Sequence, residues 1–190
     1  MADTGETPTG TDASGWWQTA ETDEVATAPK LWRPIAERIG GFDLDPAAGV
    51  EPTPIAEHRY TKTDDGLAQP WYGTVWLNPP FSEKTPWYRR LVKFYNAGEV
   101  DRAVAVATVD PSADWFHNWF ATADELVFLD GRDWYLGHGS SPSFSTMLGA
   151  WNPTPDLSAW FETKGTVAVP RADDAQTTLT DDYDTDTDDT

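Results

Sequence analysis

Thr74-Val75-Trp76-Leu77-Asn78-Pro79-Pro80-Phe81 decides how this chain is laid out. Its first four residues are an apolar run of β-branched and aromatic side chains, which reads as a buried strand. Two consecutive prolines cannot continue a central strand, because each lacks a ladder donor and fixes φ at about −65°. The chain must therefore leave the sheet directly after Leu77. The turn offers an amide side chain at Asn78, a rigid carbonyl at Pro79 and, past Pro80, an aromatic ring at Phe81. Such a set can hold a flat base: the amide oxygen and the carbonyl accept from an exocyclic amino group while the ring stacks. Taken alone, the tetrapeptide is equally compatible with an ordinary strand-ending turn, since short motifs recur by chance.

Upstream, Phe42-Asp43-Leu44-Asp45-Pro46 alternates apolar and acidic residues as a short strand does, and Pro46-Ala47-Ala48-Gly49 is a small-residue turn. Open α/β sheets bind ligands at the carboxyl ends of their strands. A tight turn of small residues lets the backbone approach a ligand, and a carboxylate there accepts from hydroxyl or ammonium groups. By itself, Asp45 also reads as an acid that caps the next segment. Before this strand, Thr27-Ala28-Pro29 opens a helix, with Thr27 as cap and Pro29 in the first turn. Leu31, Ile35 and Ile39 recur at helical spacing, Gly40-Gly41 stop the helix, and Pro34 predicts an irregular first turn. After it, Tyr60-Thr61 reads as a second small strand, and Thr63-Asp64-Asp65-Gly66-Leu67 has turn chemistry. Asp64 and Asp65 are either cofactor contacts or part of a solvated loop.

Downstream lies the clearest helix. Thr85 is read as its cap and Pro86 as its first position, Tyr88, Leu91, Val92 and Tyr95 form the apolar stripe, and Gly98 ends it. Arg89, Arg90 and Lys93 lie off that stripe, as a small basic patch or a solvated face. Ala103 to Ala107 reads as a buried central strand. Asp110-Pro111-Ser112 then turns into a second helix carrying Trp115, Phe116, Trp119 and Phe120 on one side. His117 has no Cys or second His at ligand spacing, so no metal site is expected. Leu126 to Leu129 is a further strand, extended by Gly131-Arg132-Asp133-Trp134-Tyr135, and a loop over residues 137–143 leads into a returning strand from Phe144 to Trp151. Strand–helix alternation followed by a strand pair predicts an α/β fold, a mixed sheet with an antiparallel edge pair.

The 190 residues suit one domain plus tails: an acidic disordered segment 1–15, a domain over 16–170 whose packing starts at Trp16-Trp17, and an acidic disordered tail 171–190. Net charge is −19. Setting aside the 11 acids and one base of the two tails leaves 21 acids against 12 bases, or −9. A protein meeting phosphates is normally basic. Acidity of this kind is the pattern of a protein adapted to multimolar salt, where the screening length shortens to about 3 Å at 1 M; an ordinary acidic protein is the plainer alternative. The absence of Cys excludes disulfides, a thiol nucleophile and a thiolate metal site. No apolar run approaches the roughly 18 residues of a membrane span, and a soluble cytoplasmic protein is expected.

Two motifs now combine. Asp45-Pro46-Ala47-Ala48-Gly49 resembles the cofactor motif of amino-methyltransferases, D-P-x-x-G, and Asn78-Pro79-Pro80-Phe81 resembles their catalytic motif, [DN]-P-P-[YF]. Phe42-Asp43-Leu44-Asp45-Pro46-Ala47-Ala48, Trp76-Leu77-Asn78-Pro79-Pro80-Phe81, Trp115-Phe116-His117 and Gly131-Arg132 together resemble the phage-type DNA N-6-adenine methyltransferase (Dam-like) family, over about residues 20–152. The resemblance implies a reduced Rossmann-like fold and S-adenosylmethionine as cofactor. It places Asp45, Pro46, Ala47 and Ala48 at the cofactor, with Thr27 and Pro29 at the entry; Asp43, Asp64 and Asp65 are further cofactor-binding candidates. Asn78, Pro79, Pro80 and Phe81 become the catalytic set, acting on a flipped-out or single-stranded adenine in DNA. Arg89, Arg90, Lys93 and Arg132 become DNA contacts. The chain departs from the family in having Thr27-Ala28-Pro29 where a Thr-Pro element stands. Only 33 residues separate Asp45 from Asn78, too few for two crossover helices when one βαβ unit takes about 30; the sheet is expected to be reduced on that side. Cytosine's 4-amino group, RNA or a protein amide are alternative substrates. An acidic DNA mimic or a Trp-rich single-strand binder is the non-enzymatic alternative.

Self-repulsion of the acidic domain generates a first prediction. The melting temperature should rise as salt is raised from about 0.1 to 3 M; a salt-independent value would remove the halophilic reading.

Overall fold

The computed structural model describes residues 26–49, 54–132, 134–135 and 144–170; the tails, Trp16-Trp17 and the 137–143 loop lie outside them. Helix α1 (Pro29–Ile39) starts with proline in its first turn, where a missing N–H leaves nothing unsatisfied, and stops at Gly40, whose φ of 85° is left-handed. Its cap residue is Ala28, not Thr27, and no side chain caps it. The helix runs unbroken through Pro34, so the expected irregular turn is absent. Strand β1 (Leu44–Asp45) follows, then β2 (His58–Arg59) and β3 (Gly73–Leu77). Helix α2 (Lys84–Asn96) begins one residue before the expected cap, Thr85. After β4 (Val100–Thr108), the second predicted helix is split into α3 (Asp114–Asn118) and a 3-10 turn over Phe120–Thr122. Strands β5 (Glu125–Leu129) and β6 (Thr146–Trp151), helix α4 (Pro155–Glu162) and strand β7 (Gly165–Ala168) complete the fold.

The seven strands form one mixed sheet in the order β2-β1-β3-β4-β6-β5-β7. Strands β1 to β4 are mutually parallel. Strand β6 runs antiparallel to both its neighbours, β4 and β5. The expected antiparallel pair therefore exists, but β6 is inserted inside the sheet and the edge belongs to β7, which pairs with β5. Sequence reading missed α4 and β7. The second small strand falls at His58–Arg59 rather than Tyr60-Thr61, because Tyr60 N already bonds the Asp45 carbonyl at the end of the ladder. Among the described residues, no helix lies between β1 and β3: turns fill residues 60–72. The sheet is short on this side, as the 33-residue spacing required.

Alternation along the strands sorts the core into two layers. Val75 and Leu77 of β3, with Ala103, Ala105 and Ala107 of β4, pack with Tyr88, Leu91 and Val92 of α2 and Trp115 and Phe116 of α3. Trp76, Val104 and Val106 face the other way, towards Leu31 and Ile35 of α1 and Leu157 and Phe161 of α4. The alanines of β4 leave room for the aromatic layer on their side, where Tyr88, Trp115 and Phe120 lie with ring centroids 4.9–5.7 Å apart. The Tyr88 hydroxyl, buried, donates to the Val106 carbonyl at 2.7 Å, tying α2 to β4. Among the described residues, no helix is long and apolar enough to cross a membrane.

The start of β3 is bulged, with the register to β4 shifting between Gly73 and Thr74. Gly73 has φ of 63°, and a side chain there would run into the Asp43 carboxylate. Gly73→Ala should therefore destabilise the fold by about 1–3 kcal/mol, read as a lower denaturant midpoint with unchanged slope.

Candidate active site

Because β1 and β3 are parallel neighbours, their carboxyl ends lie side by side. Leu44 pairs with Val75, so residues 45–48 emerge level with Trp76, Leu77 and Asn78. From β1 the chain goes outward to β2, and it then returns to build β3 and β4 on the opposite side. The ends of β1 and β3 thus flank the point where strand order reverses, the position at which open α/β sheets form their ligand crevice. The two motifs singled out in the sequence meet there.

Asp45 is 5% exposed. Burial pushes its carboxyl up to about 7, against the opposing pull of the Ala47 N–H and of Arg59. The Ala47 N–H donates to Asp45 Oδ1 at 3.2 Å, folding the small-residue turn back on the acid. Arg59 stands opposite Asp45 in the β1–β2 ladder. Asp43 is placed differently, at the start of β1, where its Oδ2 accepts from Thr74 N at 2.7 Å. Pro46 and Ala48 are buried and Ala47 is half-buried.

Asn78 and Pro80 are half-buried and Pro79 is buried. Asn78 Oδ1 is shielded from solvent. Phe81 lies edge-on to Tyr135 and Phe144, with centroids at 5.9 and 5.4 Å. Tyr135 in turn bridges to Thr27 in a short antiparallel contact, and Ala28 N bonds the Trp134 carbonyl at 2.8 Å. The start of α1 is thereby carried to the same end of the sheet as Asn78. Thr27 is 1% exposed, and its hydroxyl takes no hydrogen bond among the described residues.

Lys84, Tyr135 and Phe144 were missed in the sequence. Lys84 Nζ donates to Thr108 Oγ1 at the end of β4, at 2.9 Å, and sits 4.6 Å from the Trp115 ring centroid. One signal existed for it: a cation at the first residue of a helix opposes the helix dipole, which marks a residue kept for another reason. Tyr135 and Phe144 flank a Gly- and Ser-rich loop and carry no periodicity that would point to them.

The other predicted site residues stand further out. Asp64 is exposed; its Oδ2 accepts from Thr61 N at 2.8 Å and Thr61 Oγ1 at 2.6 Å, and these bonds hold its carboxyl below the usual range. Asp65 is exposed with φ of 51°. Arg89, Lys93 and Arg132 are exposed. Arg90 is half-buried, and its Nη2 donates to the Gln69 carbonyl. Among the described residues, no group of three or more His, Asp or Glu could hold a metal ion.

The raised Asp45 carboxyl makes stability depend on pH. Between its ordinary value near 4 and about 7 the folded state holds a proton that the unfolded chain has lost. This group's contribution therefore falls as pH rises through that window, on the order of 1 kcal/mol per pH unit. Asp45→Asn should remove that slope, measured as the pH-dependent difference in unfolding free energy between the two proteins.

No curated protein matches the chain. A family model, DNA N-6-adenine-methyltransferase (Dam), matches residues 15–143, a stretch that holds both motifs, α1, the strands β1 to β5 and Tyr135. The chain belongs to the DNA N-6-adenine-methyltransferase (Dam) family.

Proposed function

We propose that the protein transfers a methyl group from S-adenosylmethionine to the exocyclic amino group of adenine in DNA. The observation that carries this reading is the adjacency of Asp45-Pro46-Ala47-Ala48 and Asn78-Pro79-Pro80-Phe81 at the carboxyl ends of neighbouring parallel strands. The sheet order, with β6 and β7 running against the other five strands, supports a reduced Rossmann-like methyltransferase architecture.

The residues at the end of β1 fit such a cofactor. A buried carboxyl held near neutrality becomes the better anion when a cationic group lies beside it, and the ligand carries an ammonium and a sulfonium. The buried hydroxyl of Thr27, without a hydrogen bond among the described residues, adds a polar group at the same end of the sheet. Asp45, Pro46, Ala47, Ala48 and Thr27 would hold the cofactor; Asp64 and Asp65 lie on the loop beside it. Asp43 supports the strand from its other end. The bound cofactor supplies an already activated methyl group, so the protein's task is alignment.

The Asn78 side chain and the Pro79 carbonyl accept the hydrogens of the target amine and favour its pyramidal form. Neither group can take up a proton at neutral pH, so they orient the nitrogen rather than deprotonate it. The two prolines fix the backbone that carries both acceptors. Phe81 offers a stacking face to a base withdrawn from the duplex, and Tyr135 and Phe144 brace its ring from the edge. Exposed Arg89 and Lys93 on α2, with Arg132 beyond β5, provide cations for DNA phosphates.

Mass spectrometry of nucleosides from DNA incubated with protein and cofactor in high salt identifies the product; methylated cytosine, or no modified base, would overturn the adenine assignment. Asn78→Ala should lower the single-turnover rate by about 10²–10³ while keeping cofactor affinity. Phe81→Ala should weaken base capture by roughly 1–3 kcal/mol, with Phe81→Tyr closer to wild type. An Asn78→Ala protein that folds less well but methylates at the wild-type rate per folded molecule would make Asn78 a strand-ending residue only.

A further inference from the structure

The 61–70 loop follows β2 and packs against the turn at the end of β1. Gly66 lies so close to the Pro46 carbonyl that a Cβ on it would collide with that oxygen, and Trp87 of α2 closes the other side. The loop is fastened at several points. The Trp71 indole donates to the Gly66 carbonyl at 2.8 Å, and the Gln69 amide donates to the Asp64 carbonyl at 2.8 Å. Tyr60 donates its hydroxyl to the Pro70 carbonyl at 3.0 Å. These bonds lie within the loop and its own stems.

Arg90 adds a hydrogen bond to the loop from α2. It is half-buried, whereas Arg89 and Lys93 on the same helix are exposed. Its Nη2 donates to the Gln69 carbonyl, and its guanidinium lies 4.6 Å from the Phe94 ring centroid and 5.9 Å from that of Trp71. Trp71 itself packs against Trp87 and Phe94, at 6.1 and 6.4 Å. A planar guanidinium can lie against rings and still donate in its own plane, which a lysine ammonium cannot do as well.

We propose that Arg90 is a positioning residue for the cofactor turn: by clamping the 61–70 loop onto α2, it holds Gly66 against the Pro46 carbonyl and so fixes residues 45–48. The inference rests on the reading of those residues as the S-adenosylmethionine site. It separates the basic residues of α2 by role, with Arg89 and Lys93 turned to DNA and Arg90 turned to the cofactor turn. Burial holds the Arg90 guanidinium below its usual range, with Asp65 and Glu99 opposing that shift, in keeping with an inward-facing group.

The test is calorimetric binding of S-adenosylhomocysteine in high salt, alongside DNA binding as a function of salt. The proteins compared are wild type, Arg90→Gln, Arg90→Lys, Gly66→Ala and Arg89→Gln. Arg90→Gln and Arg90→Lys should each weaken cofactor-product binding about tenfold, the loss of one charge-assisted hydrogen bond, with unchanged DNA affinity and salt slope. Gly66→Ala, which displaces the same loop through the Pro46 carbonyl and leaves the Arg90 side chain unchanged, should give the same defect. Arg89→Gln should show the opposite split. Melting temperatures restrict the comparison to folded protein, and Gly66→Ala and Arg90→Lys carry the test if Arg90→Gln does not fold. Folded Arg90 variants that bind like wild type would overturn the inference, as would a DNA-binding defect that lysine restores. A wild-type protein that binds no cofactor product would remove the reading of the site and the inference with it.

Discussion

Strand β1 is two residues long, and its alignment with β3 depends on Asp43. The Asp43 backbone N–H donates to the Thr74 carbonyl at 2.8 Å, and its carboxylate accepts from the Thr74 N–H at 2.7 Å. One residue thus satisfies both backbone groups of Thr74 at the point where a bulge disturbs pairing with β4. A slip of one residue would turn every side chain of a strand to the opposite face. Here it would also separate Asp45 from Asn78. The relation between the two motifs is therefore fixed from the far end of their strands, by a carboxylate that lies at neither motif.

From that register the rest of the site follows. Leu77 pairs with Ala105, which sets Asn78 beside Val106 and brings the loop after it to Thr108. Strand β6 enters the sheet from the same end, with Thr146 paired to Thr108, and thereby delivers Phe144 to Phe81. In so acidic a chain, the disposition of the cations is also informative. Lys30, Arg33, Arg38, Lys84, Arg90 and Lys164 all lie over aromatic rings within 6 Å of a centroid. The many tryptophans serve as partners for positive charge as well as core. The DNA reading rests on Arg89, Lys93 and Arg132, which are exposed and lie over no ring within 6 Å among the described residues.

The sequence was most legible where local chemistry is uncompromising. Two prolines must end a strand, and Leu77 ends β3. The apolar stripe of α2 is buried at Tyr88, Leu91 and Val92. The short spacing between the motifs implied a reduced sheet on that side, and among the described residues no helix lies between β1 and β3. Legibility failed where tertiary pairing decides. Nothing local to residues 144–151 says that β6 will insert between β4 and β5 rather than take an edge. Strand β7 is a four-residue run whose place depends on β5. Thr27 looked like a cap because threonine before Ala-Pro favours one, but its backbone is taken up by the bridge to Tyr135 and the cap falls to Ala28. In the candidate site, residue types drew attention to Asp45 and Asn78, which the fold brings to the ends of neighbouring strands, whereas the contact of Arg90 with Gln69 depends on a loop that only the fold brings near.

The buried carboxyl at the end of β1 couples the site to the proton activity of its surroundings. With burial raising the Asp45 carboxyl to about 7, a proton would compete with the cationic cofactor of the proposed function for the same oxygen atoms. Each cationic ligand seated there near neutrality displaces up to one proton into solvent. The heat of binding then carries the ionisation enthalpy of whatever buffer receives that proton, and acidification acts as a competitive ligand that occupies the site without entering it.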